Sequence, residues 1–107
     1  MDESIFQEKA DMILQNLVDA VEIADEQGEL DIDYVENVVT IVLPDDNEYV
    51  INKHEPTRQI WVSSPFSGAG KYSYDESEDE WMPENGRNLR DSISVEFAKN
   101  LNMNVEF

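Results

Sequence analysis

Apolar residues recur at spacings of three and four along the first quarter of the chain. Phe6, Ala10, Ile13, Leu14, Leu17, Val21 and Ala24 fall on one stripe, which predicts an amphipathic helix from Ser4 to about Glu26. Ser4 with Gln7 reads as a capping box, Asp2 and Glu3 suit the positive end of the helix dipole, and Gly28 suits the C′ position. After Gly28 the period changes to two. Leu30, Ile32 and Tyr34 alternate with Asp31 and Asp33, and Val38 to Leu43 forms a second, more apolar strand beyond the tight turn Glu36-Asn37. Pro44-Asp45-Asp46-Asn47 marks another turn. Further short strands are expected at Tyr49 to Lys53, Gln59 to Ser63, Lys71 to Tyr74 and Glu80 to Met82, before a closing helix capped by Asn88 with a stripe of Leu89, Ile93, Phe97 and Leu101.

A helix, a run of strands with short connections and a second helix predict an α+β fold. The expected architecture is a two-layer α/β sandwich, an antiparallel sheet with the N- and C-terminal helices packed on one face. At 107 residues the chain can bury one modest core, so residues 1–107 are read as a single domain. The other sheet face is then open to water. Alternation along the strand that starts at Gln59 puts Ile60 and Val62 on one face and Gln59, Trp61 and Ser63 on the other. By composition alone Trp61 reads as a core residue; by alternation it stands on the solvated face beside Asn52, as an interface anchor does.

Charge narrows the function further. Twenty-five Asp and Glu against seven Lys and Arg give a net charge of −18, which repels phosphate backbones and anionic membranes and attracts cations and basic protein surfaces. Neither nucleic acid nor membrane is an expected partner. The chain has no cysteine and one histidine, His54, so thiolate chemistry, Cys-held clusters and His-pair metal sites are excluded. His54 itself reads as a surface polar residue. On the predicted first helix, Glu8, Asp11, Gln15, Asp19, Glu22 and Glu26 lie opposite the apolar stripe, with Asp25 at its margin. Glu29, Asp31 and Asp33 continue the run, and up to Glu36 the only basic residue is Lys9. Like charges one turn apart without compensation cost stability, which suggests a use: weak, exposed binding of hard or borderline cations by a ridge and not by a cage. A second acidic run, Asp75 to Glu80, reads as a mobile, solvated loop.

The stretch Tyr49-Val-Ile-Asn-Lys-His-Glu-Pro-Thr-Arg-Gln-Ile-Trp-Val-Ser-Ser-Pro-Phe-Ser-Gly resembles the frataxin signature, in which Y-V-I-N-K-Q, then P and Q-I-W-L-S-S-P-x-S-G-P, mark adjacent central strands. The acidic first helix, Asp31-Ile32-Asp33, Trp81 and Asn85-Gly86 extend the resemblance from about residue 2 to residue 103. This chain departs from the pattern at His54 in place of Gln, Ala69 in place of Pro and Lys71 in place of a frequent Arg.

The resemblance implies an iron-binding regulator or iron chaperone of iron–sulfur cluster assembly that docks on a cysteine desulfurase and an iron–sulfur scaffold protein. Iron, Fe²⁺ or Fe³⁺, is expected to bind weakly and exchangeably on Glu8, Asp11, Asp19, Glu22, Asp25, Glu26, Glu29, Asp31 and Asp33, with no tightly held cofactor. The implied partner surface is Asn52, Gln59, Trp61 and Lys71. Some frataxins are credited with ferroxidase activity, but no enclosed carboxylate–His site can be drawn here, and an efficient enzyme is not expected. The implied state is a monomer, with iron-dependent oligomerisation as a further expectation. Met1 close to the first helix and the short C-terminus favour the bacterial cytoplasm, the mitochondrial matrix after loss of a transit peptide being the alternative. An acidic decoy that binds a basic, nucleic-acid-binding protein is the rival from a different class.

Overall fold

In the computed structural model, which describes all residues 1–107, the chain runs α1 (Glu3–Ala24), β1 (Asp31–Val35), β2 (Val38–Val42), β3 (Glu48–His54), β4 (Gln59–Ser64), β5 (Gly68–Asp75), β6 (Glu80–Met82) and α2 (Leu89–Leu101). The strands form one antiparallel sheet in sequence order, each paired with the next. The helix-facing side of the sheet buries Val39, Ile41, Tyr49, Ile51, Ile60, Val62, Tyr72 and Trp81 against stripes from both helices, in one continuous core. The expected α+β sandwich is the fold observed.

The ends of α1 differ from the predicted ones. Asp2, not Ser4, is the N-cap, its carboxylate accepting from the Ser4 amide at 2.7 Å. Gln7 is drawn away from any capping box because its side-chain oxygen accepts from Lys53 Nζ at 2.6 Å. The helix stops at Ala24, two residues short of Glu26. Asp25 closes it, its two carboxylate oxygens accepting from the amides of Glu29 at 2.9 Å and Leu30 at 3.0 Å, which turns the chain into β1. Gly28, at φ +66°, supplies the left-handed residue of that turn and not the helix C′ position.

Each hairpin has a local cause. Glu36 at φ 55° forms the two-residue β1–β2 turn, Leu43 and Asn47 close the next, and a 3-10 turn at Glu55–Thr57 with Pro56 in its first turn leads through Arg58 at φ 52° into β4. Strand β5 begins three residues before Lys71, where Gly68, Ala69 and Gly70 pair with Ser64, Ser63 and Val62. Small residues with low strand propensity hid this start from sequence reading. Beyond α2 the chain folds back: Val105 is buried, and Ser94 Oγ donates to its carbonyl at 3.0 Å. Nothing in the periodicity pointed to that last contact.

Candidate functional site

Alternation and register together build the open face. Asn52, Trp61 and Lys71 are directly opposed on β3, β4 and β5, and His54, Gln59 and Ser73 form the next row. Ile60 and Val62 are buried on the other side while Trp61 is half-buried. The expected set of Asn52, Gln59, Trp61 and Lys71 is therefore contiguous, with the indole at its centre.

The indole is held in a defined pose. Its Nε1–H donates to Gln59 Oε1 at 3.0 Å, and the Gln59 amide donates onward to Ser73 Oγ at 3.1 Å. His54 stacks on the ring with centroids 3.6 Å apart and planes 9° from parallel, and Lys71 Nζ lies 4.5 Å from the ring centroid. His54 is thus more than a solvated surface residue. Its position, in phase with Asn52 on β3, was the signal that could have placed it on this face.

The nine ridge carboxylates divide into several environments. No group of three or more carboxylate or histidine side chains converges as an ion-binding cluster. Glu8, Asp19 and Glu22 are exposed on α1, and Glu26 and Glu29 are exposed in the turn that follows it. Asp31 and Asp33 project from β1 on the side opposite Ile32 and Tyr34, which pack on the core, so they stand on the open face and not on the helix layer. Two of the nine already have structural work. Asp11 lies 2.7 Å from Lys53 Nζ, and the Asp25 carboxylate accepts from the Glu29 and Leu30 amides of the turn after α1. Lys53, only 7% exposed, is in phase with Tyr49 and Ile51 on the helix side of β3, a placement the alternation carried but charge obscured.

The second acidic run forms the β5–β6 hairpin turn. Asp75 accepts from Ser77 Oγ at 2.6 Å and from the amides of Ser77 and Glu78, which lowers its pKa. The Tyr74 hydroxyl donates to Asp79, and Lys9 of α1 lies 3.5 Å from the same carboxylate. Those two contacts, the hydroxyl first, hold the Asp79 pKa down. The run is the solvated turn expected, exposed from Glu76 to Asp79, and this chain of bonds ties it to α1 through a residue 70 positions away.

One further carboxylate escaped sequence reading. Glu96 of α2 accepts from Tyr49 at 2.7 Å, Ser64 at 2.6 Å and Ser67 at 2.6 Å. Burial pushes its pKa up, but the three hydroxyl donors together outweigh that and leave it lowered. Burial, and then this carboxylate, push the Tyr49 phenol well above its ordinary value. The network fastens the β4–β5 turn to α2 and has no basic member.

Comparison with known proteins bears on this geometry. The frataxin-like domain family matches residues 1–103. The mitochondrial frataxin of Dictyostelium discoideum is 34% identical over 99 residues, covering 89% of this chain and 51% of that protein. The iron-sulfur cluster assembly protein CyaY of Shewanella baltica is 40% identical over 85 residues, 78% of this chain and 73% of that protein. The chain spans about half the length of the mitochondrial relatives it matches. Among solved structures, trimeric yeast frataxin from Saccharomyces cerevisiae complexed with ferrous iron superposes with a TM-score of 0.73 at 34% identity, covering 85% of this chain and 83% of that one. The frataxin of Psychromonas ingrahamii, at 20% identity, shares the fold with a TM-score of 0.84 over 99% of this chain and 97% of that one. A two-helix, six-strand sandwich, the Asn52-Trp61-Lys71 row and a family match over residues 1–103 lead to one conclusion: this chain belongs to the frataxin-like family.

Proposed function

We propose that this protein is an iron-binding regulator of iron–sulfur cluster assembly that docks on a cysteine desulfurase–scaffold complex, in the bacterial cytoplasm or the mitochondrial matrix. The observation that carries this reading is the half-buried Trp61 held between Asn52 and Lys71 on the sheet face opposite both helices. A large aromatic fixed in one pose loses little conformational entropy on binding, which is how interface hot spots work. The names of relatives support the setting: CyaY proteins are iron–sulfur cluster assembly proteins, and a yeast frataxin was crystallised with ferrous iron. In this reading the exposed carboxylates of α1 and β1 recruit iron weakly and exchangeably and meet a basic partner surface, while the Trp61 face meets the scaffold. An acidic decoy has no use for a Trp-centred face, and that face argues against the decoy reading.

Desulfurase turnover, measured with and without this protein at controlled Fe²⁺, tests the proposal. The wild-type protein is expected to change the rate and Trp61→Ala to leave it at the level of desulfurase and scaffold alone. No effect of the wild-type protein at any Fe²⁺ level would sink it.

A further inference from the structure

The centre of the open face is electrostatically unlike its margin, where Asp31 and Asp33 stand on β1. On β2 to β5 the positions that alternate away from the core hold two carboxylates, Glu48 and Asp75, each at a strand end. The centre of this face therefore contains no acid in a chain of net charge −18. Lys71 sits in that centre. Lys9, Lys53, Arg58 and Arg90 each have a carboxylate within 4.0 Å, whereas Lys71, like Arg87 and Lys99 elsewhere, has none.

His54 and Lys71 reach Trp61 from β3 and β5, on opposite sides of β4. An imidazole lying flat at 3.6 Å leaves no room on that ring face for an ammonium 4.5 Å from the same centroid. The two groups therefore cover opposite faces of the indole. The His54 ring is fixed by a 2.8 Å hydrogen bond with Thr57 Oγ1, and the indole N–H is already used by Gln59. Both ring faces and the one polar atom are occupied, and what remains to meet a partner is the carbon edge.

We infer that His54 and Lys71 clamp Trp61 edge-on as a blade, and that this face fits a protein partner offering a narrow apolar slot rimmed by carboxylates. The occupant is the opposite in charge to the basic surface that suits the α1 carboxylates, so the two faces address different parts of an assembly. This inference rests on the docking reading of Trp61. Charge complementarity selects the slot: the unpaired ammonium of Lys71 beside an apolar edge meets an acidic rim favourably, and repels a basic one. The charged groups near His54 are Lys71 across the indole, Glu55, which accepts from Asn37, and Arg58, which is paired with Glu3. No carboxylate oxygen lies within 4.0 Å of an imidazole nitrogen.

Two measurements test the two halves. In the free protein, the Trp61 ring signals are compared by NMR in the wild type and in His54→Gln. The stacked pair is expected to give nuclear Overhauser contacts between imidazole and indole ring protons in the wild type, and loss of the imidazole ring current in His54→Gln is expected to shift the indole signals. Absence of those contacts in the wild type, or indole signals unchanged in His54→Gln, overturns the clamp. Affinity for a purified desulfurase–scaffold complex is then compared for the wild type, Lys71→Met and Lys71→Glu, all checked by circular dichroism. Lys71→Glu is expected to weaken binding at least about tenfold, and Lys71→Met by less. Binding by Lys71→Glu as tight as wild type or tighter overturns the acidic slot alone. Absence of wild-type binding overturns the functional reading, and the slot with it.

Discussion

The Lys53 ammonium, nearly closed off from water beneath the first helix, lies 2.7 Å from the Asp11 carboxylate. A charge on a central strand is thus neutralised by the helix that carries the acidic ridge, with Gln7 as the second acceptor. Asp11 itself is 58% exposed, so solvent screens part of the attraction. The larger consequence falls on the lysine, which has no other anionic partner.

Asp11→Ala should therefore lower stability by about 1–3 kcal/mol, the cost of leaving a buried polar group under-partnered, and not by the ~0–1 kcal/mol of a surface pair. Adding Lys53→Met, which keeps the apolar stem and removes the charge, should restore most of the loss. Urea denaturation of the two single variants and the double variant measures the coupling. An Asp11→Ala protein as stable as the wild type would show that the pair is screened.

Iron titration should perturb backbone signals along α1, β1 and the turn between them, near Asp19, Glu22, Asp25, Glu26, Glu29, Asp31 and Asp33. Because no three carboxylates converge, affinity should be weak. Asp11→Asn and Asp25→Asn should alter stability more than iron affinity, since those carboxylates already serve Lys53 and the amides of the α1–β1 turn. NMR broadening by Fe²⁺ that centred on Glu76 to Glu80 and spared α1 would contradict the ridge assignment.

Salt and divalent cations should raise the melting temperature. With a net charge of −18, self-repulsion opposes the compact state, and both screening and native-state ion binding relieve it. Differential scanning calorimetry at low salt, and then with millimolar divalent ion, gives the comparison. An unchanged midpoint would mean that the acidic excess carries no strain.

The two tryptophans should separate under truncation. Trp81 is 3% exposed and packs edge-on to Phe6 and against Tyr74, so Trp81→Ala should cost about 3–5 kcal/mol. Trp61→Ala should cost less, leaving a folded protein that fails to dock. Denaturation midpoints beside binding to the desulfurase–scaffold complex decide it. Collapse of the fold in Trp61→Ala would make that residue part of the core.

Acid stability should depend on Glu96. Its folded pKa is below its ordinary value of 4.5 despite burial, because Ser64, Ser67 and Tyr49 donate to the carboxylate. A depressed pKa contributes stability that is present above the unfolded value and lost as pH falls through the folded one. Glu96→Gln should therefore be less stable near neutral pH and lose less on acidification below about pH 4.5. Parallel acid limbs in the two stability–pH curves would remove Glu96 from the acid transition.

The periodic positions carried the elements, and alternation along Gln59 to Ser63 carried the exposure of Trp61, because helix and strand periods depend on bonds between near neighbours in the chain. The frataxin-like signature likewise lies in one contiguous stretch, Tyr49 to Gly68. What composition could not resolve was which carboxylates are free. Asp11 and Asp25 look the same as Glu22 in the sequence, yet one is held by a lysine 42 residues away and the other by amides of the following turn. Only the tertiary structure brought His54 and Lys71 onto the two faces of Trp61, joined Lys9 to the Asp75–Glu80 hairpin and buried Val105. Each of those contacts joins groups whose proximity is set by strand register or helix docking. Such distances follow from how the whole core packs, and no local pattern of residues encodes them.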